Sequence, residues 1–175
     1  YVGNYAKYAT ATVATTRVDW TGVYTTSVKD QGYCGSCWIF SAVEQIESDF
    51  IRVLGQSPSS FIMSEQQVLD CLNGGTYDGC NGGWPAKVYG YSQKSGGLTT
   101  EALYPYKAVH STCKSFASYA NVSAVHYLST SNSGASETAT ASYVQTTGPL
   151  SVCIATGGWQ NYVSGVLTAS TCGTS

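Results

Sequence analysis

The stretch that decides the fold is Gln31-Gly32-Tyr33-Cys34-Gly35-Ser36-Cys37-Trp38. The large apolar residues that follow it at helical spacing are Ile39, Val43, Ile46, Phe50 and Val53. Their spacing predicts an amphipathic helix from Cys37 to Leu54, and the glycines before Cys37 predict a turn. The sequence therefore places a thiol in the first turn of a helix. Three acidic residues are expected on or beside its solvated side: Glu44, Glu47 and Asp49.

The position of Cys37 favours nucleophilic chemistry. Unpaired N–H groups and the macrodipole at a helix N-terminus favour negative charge, which here means thiolate over thiol. Cys34 and Cys37 also have the spacing of a redox pair or of half a zinc site. A structural zinc needs a second close pair, and Cys71 and Cys80 are too far apart in the sequence. A thioredoxin-like motif needs a β-α-β setting, which the glycine-rich approach does not suggest. We expect neither a metal nor a cofactor.

The run from Gln31 to Trp38, extended by Phe40-Ser41, resembles the active-site signature of the papain-like cysteine proteases. The resemblance implies an α+β, two-lobed fold. Its left lobe is helical, and its β-barrel-like right lobe is incomplete in this chain. The resemblance further implies that Cys37 is the nucleophile. The Gln31 side-chain amide, with the backbone N–H of Cys37, would stabilise the oxyanion.

Later family motifs extend the resemblance from Val18 to Ser175. They include Val18-Asp19-Trp20, Ser64-Glu65-Gln66, Cys80-Asn81-Gly82-Gly83, Tyr104-Pro105-Tyr106 and the Gly148-Pro149 run. The substrate-binding residues that the resemblance implies are Gly35, Ser36, Gly82, Gly83, Trp84, Pro85 and Cys153. Gly82 and Gly83 let a substrate backbone approach closely. Trp84 and Pro85 would wall the pocket for the second residue before the scissile bond. Cys153 either lines this pocket or is a core thiol.

Local signals predict further elements and a division into lobes. Ser64 and Gln67 have the spacing of a capping box before a short helix that runs to about Cys71. Further helices are predicted for 86–93 and 137–146, and strands from Val122 onward and for 150–154. Residues 1–16 are expected to be an N-terminal tail or pro-segment remnant, 17–124 a mainly helical lobe and 125–175 a partial β-rich lobe.

Composition excludes some classes of partner. The 175 residues carry a net charge of −2, only 10% are charged, and no basic cluster occurs, so nucleic acid is not an expected partner. No run approaches the ~18 apolar residues of a membrane span. No signal-peptide pattern is present, so we expect a processed product. Seven cysteines indicate an oxidising compartment, either secreted or lysosomal/vacuolar. Asn121-Val122-Ser123 is a glycosylation sequon.

The family resemblance also implies the disulfides. Cys34 would pair with Cys80, and Cys71 with Cys113. Cys172 would pair with a cysteine beyond the chain. Cys37 should remain free, and Cys153 has no obvious mate.

The papain-like mechanism also needs a histidine as base and acid and an asparagine to orient it. The segment from Leu167 to Ser175, where the histidine is expected, holds none. His110 and His126 are expected to be surface or core histidines. We therefore expect a cysteine endopeptidase whose histidine and asparagine come from beyond Ser175. They would lie on a light chain made by internal cleavage or on a longer polypeptide. The alternative is a catalytically inactive homologue used as a structural or binding module. Expected partners are protein or peptide substrates and cystatin-like inhibitors.

Overall fold

The computed structural model of the protein describes residues 17–72, 79–128, 134–154, 156–159 and 162–165. Its helices in these ranges are α1 (Cys37–Leu54), α2 (Glu65–Cys71), α3 (Pro85–Ser95) and α4 (Gly134–Thr146). Helix α1 has the predicted bounds. Helix α3 extends the predicted range at both ends, and α4 begins at Gly134 rather than Glu137. The predicted tail, residues 1–16, lies outside the described residues.

Helix α1 is the centre of the core. Ile39, Val43 and Ile46 are at most 3% exposed and belong to one buried cluster with residues of α2 and α3. The helix ends at Gly55, whose left-handed backbone has a φ of +64° and whose N–H donates to the Ile51 carbonyl. This burial fixes the axis of α1 and therefore the position of its first turn.

Two expectations for α1 are wrong. Glu47, expected on or beside the solvated side, is 0% exposed, and Val53, expected in the apolar stripe, is 48% exposed. Glu47 can be buried because the Lys29 ammonium lies 2.6 Å from its carboxylate. The Thr26 hydroxyl and the Met63 N–H also donate to it, both at 2.7 Å. A buried charge is tolerated when it is paired and hydrogen-bonded.

Helix α2 begins after the predicted N-cap, Ser64, but only one half of the predicted capping box forms, because the Ser64 N–H donates to the Thr99 carbonyl at 3.0 Å. The Ser64 hydroxyl accepts a hydrogen bond from the Gln67 N–H at 3.0 Å. The side chain of Gln67 reaches a later part of the chain, where its amide oxygen accepts from the Thr99 N–H at 2.7 Å. The start of α2 is therefore held by its own cap and by a long-range contact.

Two disulfides join described segments, Cys34 to Cys80 and Cys71 to Cys113. They are the two pairs within the chain that the family resemblance implies. Cys37 and Cys153 are free and exposed, and Cys172 lies outside the described residues.

The β structure in the described part of the chain consists of isolated bridges, such as the one between Leu98 and Ala120. The segment from Val122 to Leu128 is not a strand, contrary to expectation. The segment 150–154 was expected to be a buried strand. It is also not one, and Val152 and Ile154 are 53% and 49% exposed. A strand needs a second strand to pair its backbone groups, and the bridges in the described part of the chain do not include either segment.

A second, smaller apolar cluster forms around α4 from Ala139, Tyr143, Leu128 and Leu150. The Trp20 indole N–H donates to the Val144 carbonyl at 2.7 Å, which ties the start of the described chain to α4. The structure therefore contains a helical lobe and part of a second lobe. The boundary after residue 124 stays a prediction. No helix in the described ranges is long and apolar enough to cross a membrane.

Candidate active site

The segment before α1 turns sharply and places Cys37 at the first position of the helix. The Gly35 N–H donates to the Cys80 carbonyl at 2.7 Å, and the Ser36 N–H donates to the Cys34 carbonyl at 2.7 Å. A Cβ on Gly35 would lie 2.3 Å from the Cys80 oxygen, so the close approach requires glycine. Because Cys34 and Cys80 are also joined covalently, the turn is fixed before α1 begins.

Cys37 combines an exposed, free thiol with a helix N-terminus. As the first residue of α1, it has a backbone N–H without an intrahelical acceptor. The residue lines a cavity of about 990 Å³ that Gln31 also lines. The other walls come from parts of the segment between Thr21 and Asp30, the adjacent face of α1, residues 57–59, Pro149 and Leu150. The structure therefore brings the predicted nucleophile and the predicted oxyanion donor to one cavity.

The Gln31 side chain is held in this cavity. Its amide nitrogen donates to the Cys34 carbonyl at 2.8 Å. A primary amide carries two N–H donors, so this bond leaves one donor for a ligand. The backbone carbonyl of Gln31 accepts a hydrogen bond from the Tyr106 hydroxyl at 3.0 Å. Gln31 is therefore fixed through both its side chain and its backbone.

The run from Cys80 to Pro85 lies along Trp38, the residue after the nucleophile. The Trp38 indole N–H donates to the Gly79 carbonyl at 3.2 Å, and a Cβ on Gly83 would lie 2.5 Å from the indole ring. Trp84 is 57% exposed and directly precedes α3, which begins at Pro85. Residues predicted to bind substrate thus lie beside the first turn of α1.

Ser36 was also predicted to bind substrate, but its side chain is not available to a ligand. The residue is 0% exposed, and its hydroxyl lies 2.6 Å from the Tyr106 hydroxyl. Its backbone N–H and carbonyl are also hydrogen-bonded within the turn and α1, so the prediction that Ser36 binds substrate is wrong.

Cys153 belongs to a segment that contacts both α1 and α3. The Ser151 hydroxyl lies 2.7 Å from that of Ser41, about one turn after Cys37 on α1. Ser151 also forms a hydrogen bond with Tyr89 in α3. This bond acts to lower the pKa of Tyr89, but burial outweighs it and raises that pKa to about 12. Because the Cys153 thiol is exposed, it is not a core thiol. Its place in the substrate pocket stays a prediction.

Comparison with known proteins decides the family. The family model described as "Papain family cysteine protease" matches residues 14–175. The chain belongs to the papain family. It is 38% identical over 164 residues to digestive cysteine proteinase 1 of Homarus americanus, covering 91% of this chain and 49% of the relative. It is 44% identical over 98 residues to human cathepsin L2, and the match covers 55% of this chain and 28% of the relative. The chain spans about half the length, or less, of the curated relatives it matches.

Solved structures of papain-family members share the fold. Bromelain from Ananas comosus, in complex with the E64 inhibitor, has a TM-score of 0.53 and 38% identity, covering 59% of this chain and 47% of that chain. The digestive procathepsin L2 proteinase of Tenebrio molitor has a TM-score of 0.51 and 33% identity, and the match covers 59% of this chain and 33% of that chain. The predicted papain-like α+β fold class is therefore confirmed.

Neither of the two histidines of this papain-family chain lines the cavity that holds Cys37. His110 is exposed and lies beside Gly79, and His126 is also exposed. Neither histidine is therefore placed to act as the base for Cys37.

A charge cluster beside the site was missed by the sequence reasoning. The Lys29 ammonium lies 2.6 Å from both the Glu47 and the Glu65 carboxylates. Burial raises the pKa of Glu65 to about 7, against the attraction of Lys29. Burial also acts to lower the pKa of Lys29, but Glu65 and Glu47 outweigh it and the pKa rises. No local pattern reveals the cluster, because its members are 18 and 36 residues from Lys29. Through Lys29, this charge cluster anchors the chain two residues before Gln31.

Proposed function

We propose that the protein is a cysteine endopeptidase that hydrolyses peptide bonds with Cys37 as its nucleophile. The observation that carries the proposal is the exposed, free thiol of Cys37 at the start of α1, in one cavity with Gln31. Membership of the papain family of cysteine proteases supports it.

In the proposed reaction, the Cys37 thiolate attacks the carbonyl carbon of the scissile peptide, and an electron pair moves to the oxygen. The remaining N–H of the Gln31 amide and the backbone N–H of Cys37 donate to that oxyanion. Collapse of the intermediate expels the amine, which takes a proton from a histidine, and leaves a thioester on Cys37. Water, deprotonated by the same histidine, hydrolyses the thioester. The histidine and its orienting asparagine come from beyond Ser175, on the same polypeptide or on a light chain.

The proposed substrate site contains Gly35, Gly82, Gly83, Trp84, Pro85 and Cys153, and the buried Ser36 supports the turn beside it. An extended substrate pairs its backbone with Gly82 and Gly83, where no side chain blocks the approach. Trp84 and Pro85 form one wall of the pocket for the second residue before the cut. Cys153 forms another wall, which the contacts of its segment with α1 and α3 support. A bulky apolar residue is the expected occupant.

The proposed setting is a secreted or lysosomal/vacuolar compartment, where the two disulfides persist. Digestive proteinases and cathepsins among the relatives support this setting. Cystatin-like inhibitors are proposed as protein partners.

The test compares two thiols of the same chain. Both Cys37 and Cys153 are free and exposed, so Cys153 is an internal control for accessibility. The complete protein is treated with the epoxide E64, and the labelled residues are mapped by mass spectrometry with and without reduction. We expect labelling of Cys37 at least about a hundredfold faster than of Cys153, because only an activated thiol reacts readily. A released fragment with a histidine near its start would identify a light chain.

Peptide hydrolysis completes the test. The parent protein should cleave a peptide substrate, and Cys37→Ser should not, whereas Cys153→Ser should retain cleavage. Equal labelling of both thiols, together with no hydrolysis by the parent protein, would refute the proposal. That result would favour the inactive homologue used as a structural or binding module.

A further inference from the structure

The Tyr106 hydroxyl links the two ends of the loop that carries the proposed active site. It donates to the Gln31 carbonyl at 3.0 Å and lies 2.6 Å from the Ser36 hydroxyl. A phenol has only one proton, and that proton is on the bond to Gln31. With the phenol proton on that bond, the Ser36 hydroxyl donates to the Tyr106 oxygen at 2.6 Å rather than to the Cys34 carbonyl, which is farther away at 3.4 Å. The result is a continuous chain of hydrogen bonds from Ser36, directly before Cys37, to Gln31.

Several contacts fix Tyr106 itself. Its ring packs edge-on against Phe40 of α1, with centroids 4.9 Å apart and planes at 83°. Its backbone N–H donates to the Glu101 carboxylate at 2.7 Å. Burial raises the pKa of Tyr106, so the hydroxyl keeps the proton that the chain of hydrogen bonds requires. The ring is thus anchored independently of the loop.

The loop from Gln31 to Ser36, which lies between the two contacts of the Tyr106 hydroxyl, is irregular. Gly32 has a left-handed φ of +60°, and Tyr33 is 109% exposed. No regular element covers Gln31 to Ser36. The distance between the Gln31 amide and the Cys37 thiol therefore depends on the Gln31–Cys34 hydrogen bond within the loop and on two attachments from outside it, the disulfide to Cys80 and the Tyr106 hydroxyl.

We propose that Tyr106 is a positioning residue of the active site, whose hydroxyl fixes the oxyanion donor Gln31 relative to the nucleophile Cys37. The inference rests on the proposed function, because it assigns Tyr106 to the geometry of the same reaction. Small displacements of reacting groups have large effects on rate, so a hydroxyl that touches neither substrate nor thiol can still control catalysis.

The chain offers a matched control in the same Tyr104-Pro105-Tyr106 motif. The Tyr104 hydroxyl donates to the Asp70 carboxylate at 2.8 Å and accepts from the Lys114 N–H at 3.2 Å. Tyr104→Phe and Tyr106→Phe therefore each remove one hydrogen-bonded hydroxyl, and that of Tyr104 also lies 3.4 Å from the Thr112 carbonyl. Only Tyr106 contacts the loop before Cys37.

Steady-state hydrolysis by the complete protein tests the inference. We expect Tyr106→Phe to lower kcat about tenfold while KM changes less than about twofold, because the loss falls on transition-state geometry. Tyr104→Phe should lower the Tm and leave both constants unchanged. Ser36→Ala should lower kcat by a smaller factor, because it leaves the bond from Tyr106 to Gln31 in place. The double variant Ser36→Ala/Tyr106→Phe should lose no more than Tyr106→Phe alone, because that change already breaks the bond between Tyr106 and Ser36.

Amide hydrogen exchange followed by mass spectrometry gives a readout that does not need activity. Tyr106→Phe should speed exchange in the peptide 31–37, and Tyr104→Phe should not. Unchanged exchange there in Tyr106→Phe, or effects of the two single variants that multiply in the double variant, would overturn the inference. If the parent protein hydrolyses no peptide but the exchange differs as expected, the proposed function fails and the positioning of the loop stands.

Discussion

The dependence of stability on pH tests the buried charge cluster of Lys29, Glu47 and Glu65. The side chains of Glu47 and Glu65 are 0% and 2% exposed, and that of Lys29 is 14% exposed. Two carboxylates therefore share one ammonium away from water, with one negative charge in excess. A single proton removes the excess. Burial raises the pKa of Glu65, and the Glu47 carboxylate accepts further hydrogen bonds from Thr26 and Met63.

The direction in which stability changes with pH follows from the raised pKa of Glu65. This pKa is about 7 in the folded protein and 4.5 for an ordinary glutamate. Between these values the folded state binds more protons than the unfolded state. The contribution of Glu65 to stability is therefore fully present below about pH 4.5 and is lost as the pH rises through about 7. Glu44 and Glu101 act in the same direction, because burial also raises their pKa values.

Urea unfolding of the complete protein, with its disulfides intact, measures the effect. Linkage gives a free energy of unfolding about 2–3 kcal/mol higher near pH 5 than near pH 8 from Glu65 alone. Glu65→Gln keeps an acceptor for Lys29 and removes the titrating carboxyl group. The free energy of unfolding of this variant should therefore change less between pH 5 and pH 8. The control Glu137→Gln changes an exposed glutamate in α4. The same slope in both variants would refute the assignment to the buried cluster.

Other changes give distinct outcomes. Lys29→Met leaves two buried carboxylates without a cation and should cost about 3–5 kcal/mol near pH 8 in urea unfolding, and less near pH 5. Gly83→Ala would place a Cβ 2.5 Å from the Trp38 ring. It should cost about 1–3 kcal/mol in thermal unfolding, whereas Gly90→Ala, in open space on α3, should stabilise by up to about 1 kcal/mol. Asn121 is exposed, so protein from a secretory eukaryotic host should carry a glycan that Asn121→Gln lacks. An intact mass without a glycan would contradict that prediction.

The helices of this chain could be predicted because their signals are local. The apolar period fixes α1 from Cys37 to Leu54, and the Ser64 hydroxyl caps α2 through a residue three positions later. The two predicted strands, from Val122 onward and at 150–154, are not strands in the structure. An alternating segment becomes a strand only when another segment pairs with it, and that partner cannot be read from the segment itself.

The candidate site was predictable only where its chemistry lies in one short run. Gln31 and Cys37 share the signature, and the structure places both in one cavity. The burial of Glu47 depends on Lys29, 18 residues earlier. The contact of Tyr106 with Gln31 spans 75 residues. Such contacts join residues that are far apart in the sequence, so periodicity and capping carry no signal for them.

The irregular segment that leads into α1 therefore owes its geometry to three attachments of different chemistry. Lys29 holds its beginning through charges, Tyr106 holds Gln31 through a hydroxyl, and the Cys34–Cys80 disulfide holds its end covalently. Raising the pH acts on the first, a reductant acts on the third, and neither acts directly on the second. Neither agent acts on the apolar contacts of Ile39, Val43 and Ile46 in α1, so a weakened attachment should loosen the active segment before the helix unfolds. Activity should accordingly fall at milder alkaline pH, or at a lower concentration of reductant, than the helical circular dichroism signal does.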